Sequence, residues 1–558
     1  NLKRTALSCT LLTTLLTSAS AARDITGTQN AFAINGETVT IKSGATVQVG
    51  SPKINNYIGS NSSIAVGQNG KESSITIENG GRLNGRIYTR AAKIKDIIIN
   101  GSIGAGPSNA SIINFRGTTI KKIEVGQTGV LEGGIINSWF KNGGITSGNS
   151  KIDNIDIKGE VKGGIKNQSG TMQTLTISGG GQVQGGVNNS GTLTTLNLNN
   201  GGTINGGINN NRTMGSISVS DSTVNGGINN SNANSTLNNI TVETGGNVNG
   251  GIHNGNTNSR INGNVTIKGN VTGKVTNAGT ITNNITISDG GTIDASNVND
   301  PQNAIDNSGT IQGKIEVVGQ NSHLNKNIKN SGSINQGIEI KDNAVIVGVD
   351  NSGTVDSVKV ENNANITGDI SNTGTVTQKI EVTQNSTIQG SITNTNKING
   401  IDITNSNIGG DIVNSGSNAS TGAINITGAS NVGGSIVNQN GANFTNNITL
   451  NQNSKLGGIS NNANSTMSGQ LALNGEVGTI YNAGKFDSTL TLSNKVGEIN
   501  NAEGGTISND ITIQANGSVG AINNAGTMQA ITNNGTGTLT LTNSGGTIDK
   551  ITNGTGAT

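Results

Sequence analysis

Branched aliphatic residues in this chain stand singly or alternate with polar ones, and runs of Gly, Asn, Ser and Thr separate them. The recurring unit is Ile/Val-x-Asn. It starts at Ile135, Ile165, Val187, Ile208, Ile228, Ile252, Val275, Ile305 and Ile328. It continues at Val349, Ile370, Ile392, Ile412, Ile436, Ile459, Ile480, Ile499 and Ile522. Neighbouring starts lie 19 to 24 residues apart, except for two steps of 30, from 135 to 165 and from 275 to 305. A period near 22 residues indicates stacked coils, each of which buries its apolar face only against the next.

The stretch GGVNNSGTLTTLNLNNGGTIN, residues 185–205, shows one coil. Val187 belongs to one short strand, Leu193, Leu196 and Leu198 to a second, and Ile204 to a third, with Gly- and Asn-rich corners between them. Alternation within a strand sends successive side chains to opposite faces. The fold class this predicts is all-β, a right-handed parallel β-helix. About 24 coils at the strand spacing of 4.7–4.9 Å would give a rod on the order of 115 Å long.

If the Ile or Val of the tripeptide points inward, the middle residue points out and the Asn points in again. The middle position is variable (Lys166, Asn188, His253, Thr276, Asp306, Lys329, Asp350, Ser371, Tyr481), as an exposed position should be. The third is constant: Asn167, Asn189, Asn210, Asn230, Asn254, Asn277, Asn307, Asn330, Asn351, Asn372, Asn394, Asn414, Asn438, Asn461, Asn482, Asn501 and Asn524. Buried amides are costly alone but can bond from coil to coil, which predicts an asparagine ladder. The alternative is that Asn merely tolerates left-handed corner geometry. Asp306, Lys329 and Asp350 would stack as a charged stripe worth about 0.2–1 kcal/mol per pair.

The expected organisation is a signal segment at 1–21, an N-terminal cap with irregular coils at 22–130, and a regular helix at 131–558. Lys3 and Arg4, the apolar run Ala6 to Leu16, and Ala19-Ser20-Ala21 have the order of an export signal and its cleavage site. The single cysteine, Cys9, falls inside it, leaving no disulfide to stabilise the exported part. Most aromatics, including Phe32, Tyr57, Tyr88, Phe115, Trp139 and Phe140, precede the regular repeat. In GGRLNGRIYTR the even positions Arg82, Arg86, Tyr88 and Arg90 would share an outer face, a candidate patch for acidic glycans or lipid head groups. Trp139 and Phe140 are candidates for stacking on a sugar, or for plugging a coil end. Residues 283–304, with Pro301, should form a longer coil with a protruding loop.

Composition narrows the function. The 558 residues include 86 Gly and 3 Pro, with 30% hydrophobic, 2% aromatic and 12% charged side chains. So few prolines and charges do not describe a disordered chain. A formal net charge of +2 gives no basic face for nucleic acid, and none is expected as a partner. The histidines, His253 and His323, fall in different coils, so a zinc site is not expected. GGGQVQGG lacks the Lys-Ser/Thr of a phosphate loop. Acidic residues are scattered, so no enzyme, cofactor or metal is expected.

In the style of its repeats, exemplified by GGINNSNANSTLNNITVETGGNVNGGIHN at 226–254, the chain resembles the adhesin-like, β-helical passenger domains of Gram-negative type V autotransporters. That resemblance implies export, passage through an outer-membrane barrel and display on the bacterial surface. It also implies adhesion to a host glycan or matrix protein, or self-association with the same protein on neighbouring cells, as in virulence. TIDKITNGTGAT shows none of the alternating strands of a barrel, which is expected outside this sequence. A polysaccharide-acting enzyme and a passive spacer are the alternatives.

Overall fold

The computed structural model describes residues 21–54, 57–67, 70–138, 150–296 and 303–558. It is a parallel β-solenoid of about 23 turns with about 22 residues per turn. Two long parallel sheets run its length, and a third, six-stranded sheet joins them over the last coils. The coil at 192–210 has the three strands expected: Thr192–Leu198, Thr203–Ile204 and Ile208–Asn210. Each lies in register on its neighbours, with Leu193, Leu196 and Leu198 over Met214, Ile217 and Val219. These six side chains are at most 1% exposed. Inward columns of this kind form one apolar cluster from Ile25 to Ile531, so the few core residues per coil are fully used.

The cross-section changes along the rod, and the spacing of inward residues explains how. Leu193 and Leu196 are three apart and lie in one unbroken strand. Ile261 and Val265 are four apart, and the extra residue opens a corner between Arg260–Ile261 and Val265–Ile267. On the second sheet the change runs the other way. Val183 and Val187 are four apart and in separate strands, whereas Val477 and Ile480 are three apart within Glu476–Asn482. A strand has period two, so an odd spacing keeps both residues inward only by way of a local bulge, and a spacing of four gives room for a bend. Val355 and Val358 depart from this rule. They lie between Ile334/Ile338 and Val376/Ile380, and pairing on both sides imposes the neighbours' corner.

Tight corners rest on glycine. Gly186 and Gly207 have φ of +75° and +73°, and a Cβ on either would lie 2.6 Å from a carbonyl oxygen of the next coil.

Parallel pairing also runs through residues 22–130: Ala22–Ile25 pairs with Thr38–Ile41, which pairs with Glu72–Ile77. The N-terminal region differs by an antiparallel hairpin, Lys53–Ile54 with Tyr57–Ile58. Pro301 and the loop expected around it fall outside the described residues.

Candidate functional site

The asparagine ladder is continuous. From Asn114 to Asn543 each side-chain amide donates to Oδ1 of the Asn one coil further on, at 2.7–3.0 Å at every rung but one. It therefore starts earlier than the tripeptide pattern suggested, at Asn114 and Asn137, and includes every Asn from Asn167 to Asn524 named above. Those are at most 4% exposed. The second amide hydrogen reaches a backbone carbonyl, as from Asn189 to Thr213 at 2.7 Å and from Asn351 to Thr375 at 3.2 Å. None of these asparagines has positive φ, while Asn200, Asn234 and Asn343 at other corners do. Hydrogen bonding, not left-handed geometry, is what selects Asn here.

The exceptional rung is Asn394 to Asn414, at 3.5 Å. There the Thr421 hydroxyl accepts from Asn394 at 3.0 Å and donates to Asn414 at 2.9 Å. Thr421 replaces an aliphatic residue in its column, stacking on Ile398.

The proposed basic patch is arranged differently from the expectation. Arg86 and Tyr88 do point away from the main core, but they are only 8% and 7% exposed. Tyr88 packs with Ile54, Ala65, Ile113 and Phe115 in a second apolar cluster, outside the solenoid wall. The Arg86 guanidinium donates to Ser60 O at 2.9 Å and Pro107 O at 3.2 Å and lies over the Tyr88 ring at 5.6 Å. The alternation was read correctly, but a second layer of chain crosses the outer face. The outward column Ala65, Tyr88, Ile113 and Ile136, apolar in four successive coils, is the sequence signal for that cover. Arg82 remains exposed, its Nε donating to Asn84 Oδ1 at 2.8 Å, and Arg90 is half-buried. Trp139 and Phe140 lie outside the described residues.

From Lys166 onward the outer faces are polar and stacked in rows. Asn229 donates to Asn209 and Asn209 to Asn188, each at 3.0 Å. A parallel row runs from Asn249 to Asn225 to Asn205, each at 2.8 Å. Both donate toward the N-terminus, opposite to the inner ladder. His253 continues the first row, with Nε2 2.8 Å from Gly250 O and Nδ1 2.9 Å from the Thr276 hydroxyl. A carbonyl can only accept, so Nε2 carries the proton and Nδ1 accepts from Thr276. Asp306, Lys329 and Asp350 stack in register as expected.

One charged knot stands out. Lys341 contacts Glu316 at 2.8 Å and Glu339 at 3.0 Å, and Lys314 contacts Glu316 at 3.0 Å and also Glu339. Partial burial works against the charged form of Glu339. Its hydrogen bonds to Lys314, Lys341 and Glu361 outweigh that and hold its carboxyl at about 2. Burial and the neighbouring Glu339 push the Glu361 carboxyl upward. Because the folded value of Glu339 lies below its ordinary 4.5, its contribution is present above pH 4.5 and lost as pH falls toward 2. Glu339→Gln should therefore remove about 2 kcal/mol of acid-dependent stability in that window, read from urea midpoints at successive pH values.

Among the described residues no three His, Cys, Asp or Glu side chains gather in a group that could hold a metal. No protein-family model and no curated protein matches the sequence.

Proposed function

We propose that the chain is the exported, surface-displayed rod of a bacterial adhesion system, binding a host glycan or matrix protein, or the same protein on a neighbouring cell. One observation carries this reading: the outer rows of amide and hydroxyl side chains repeat at the coil spacing along the rod. Such an array presents many equivalent polar contacts, each weak, that add when a partner engages several at once. The autotransporter-like style of the repeats and the export signal order of residues 1–21 support the same reading. In it the rod does no chemistry and needs no cofactor, and a membrane barrel holds it to the cell.

The test is to display the chain on bacteria through an outer-membrane anchor and compare it with a version lacking residues 150–558. Full-length display should raise adherence to host cells or clumping several-fold, and the deletion should abolish the gain. Equal adherence of the two would reduce the repeats to a spacer.

A further inference from the structure

Loop length varies in one place in a way that carves the surface. The connection between the strands ending at Leu450 and starting at Lys455 has four residues, as has that between Ile513 and Ser518. In the two coils between them the same connection has only two residues, 474–475 and 493–494. Two low corners between two high ones leave a recess. Three coil steps separate its walls, about 14 Å. Its volume is about 500 Å³, and Asn451, Gln452, Asn453, Asn474, Ser493 and Asn516 line it.

The floor is fixed in place. Asn494 donates to Asn474 O at 3.1 Å and to Gln452 O at 3.4 Å, tying the low corners to one wall. Glycine permits the stacking beneath: a Cβ on Gly475 would lie 2.4 Å from Ser454 O, and one on Gly517 2.3 Å from Leu492 O. Charges sit at one border only, where Lys455, Glu476 and Lys495 pair at 3.3 and 3.9 Å and largely neutralise one another. The opposite border is the row Thr449, Ala472, Thr491 and Thr512.

We infer that this recess is a binding site for a neutral oligosaccharide of two or three sugar units. Primary amides and hydroxyls both donate and accept, as sugar hydroxyls do, and a lining without formal charge gives no reason to prefer an acidic ligand. This rests on the adhesion reading and gives it a ligand class and a location.

The probe is a panel of neutral hexose and N-acetylhexosamine oligosaccharides of two to six units, with sialylated and sulfated counterparts. It is titrated against the full chain and against the double variant Asn453→Ala/Asn516→Ala. Both positions are exposed, so the variant should keep the wild-type circular dichroism and melting curve. A neutral oligosaccharide should bind the wild type, and the variant should bind it about tenfold or more weakly. Equal binding by the variant, binding of acidic glycans alone, or no binding to the panel would each overturn the recess as a site. The displayed-rod experiment is read on host cells, so adherence persisting after any of those results would leave the adhesion reading standing without this site.

Discussion

Asn307→Leu should destabilise the solenoid by about 3 kcal/mol although it swaps one buried side chain for another of similar size. Asn307 accepts from Asn277 at 2.7 Å and donates to Asn330 at 2.7 Å and to Ser333 O at 3.2 Å. Leucine would leave a buried donor on Asn277 and a buried acceptor on Asn330 without their rung, each costing about 1–3 kcal/mol. Hydrogen exchange should show the loss first in the coils around 277, 307 and 330, because each coil is held only by its neighbours. The control is Asn209→Leu on the outer row, where water can replace the lost partners and the cost should stay below about 1 kcal/mol. Similar losses for the two variants would mean that the inner amides are not a buried, mutually satisfied column.

The second large effect is expected at the glycine corner. Gly207→Ala combines a φ of +73° with a Cβ 2.6 Å from Gly226 O. Gly441→Ala combines nearly the same φ, +78°, with no atom within 4 Å of the new Cβ. Both pay the backbone strain of about 1–2 kcal/mol, but only the first pushes two coils apart. The melting or urea midpoint of Gly207→Ala should correspond to at least about 2 kcal/mol more loss than that of Gly441→Ala. Equal effects would show that coils can separate at the corner without cost.

Much of this architecture is legible in the chain itself. The Ile/Val-x-Asn period sets the coil length, and the alternation around it sets which residues point inward, because both follow from local geometry. The ladder was legible for the same reason, from the constancy of its third position. Its first members, Asn114 and Asn137, needed the register of neighbouring coils to become visible. The patch at Arg82–Arg90 shows what local alternation misses. Direction relative to the wall was right for Arg86 and Tyr88, but their exposure depended on a hairpin from some thirty residues earlier. The recess was hidden for a related reason. Its only trace is the 19-residue step from Ile480 to Ile499, and a shorter coil becomes a cavity only when the heights of adjacent coils are compared.

Small-angle X-ray scattering of the purified chain tests the stacking most directly. About 23 turns at strand spacing make a rod near 110 Å long, with a radius of gyration of about 32 Å. A compact globule of 558 residues would give about 24 Å and a far shorter longest dimension, and that result would contradict a chain wound coil upon coil around a column of asparagines.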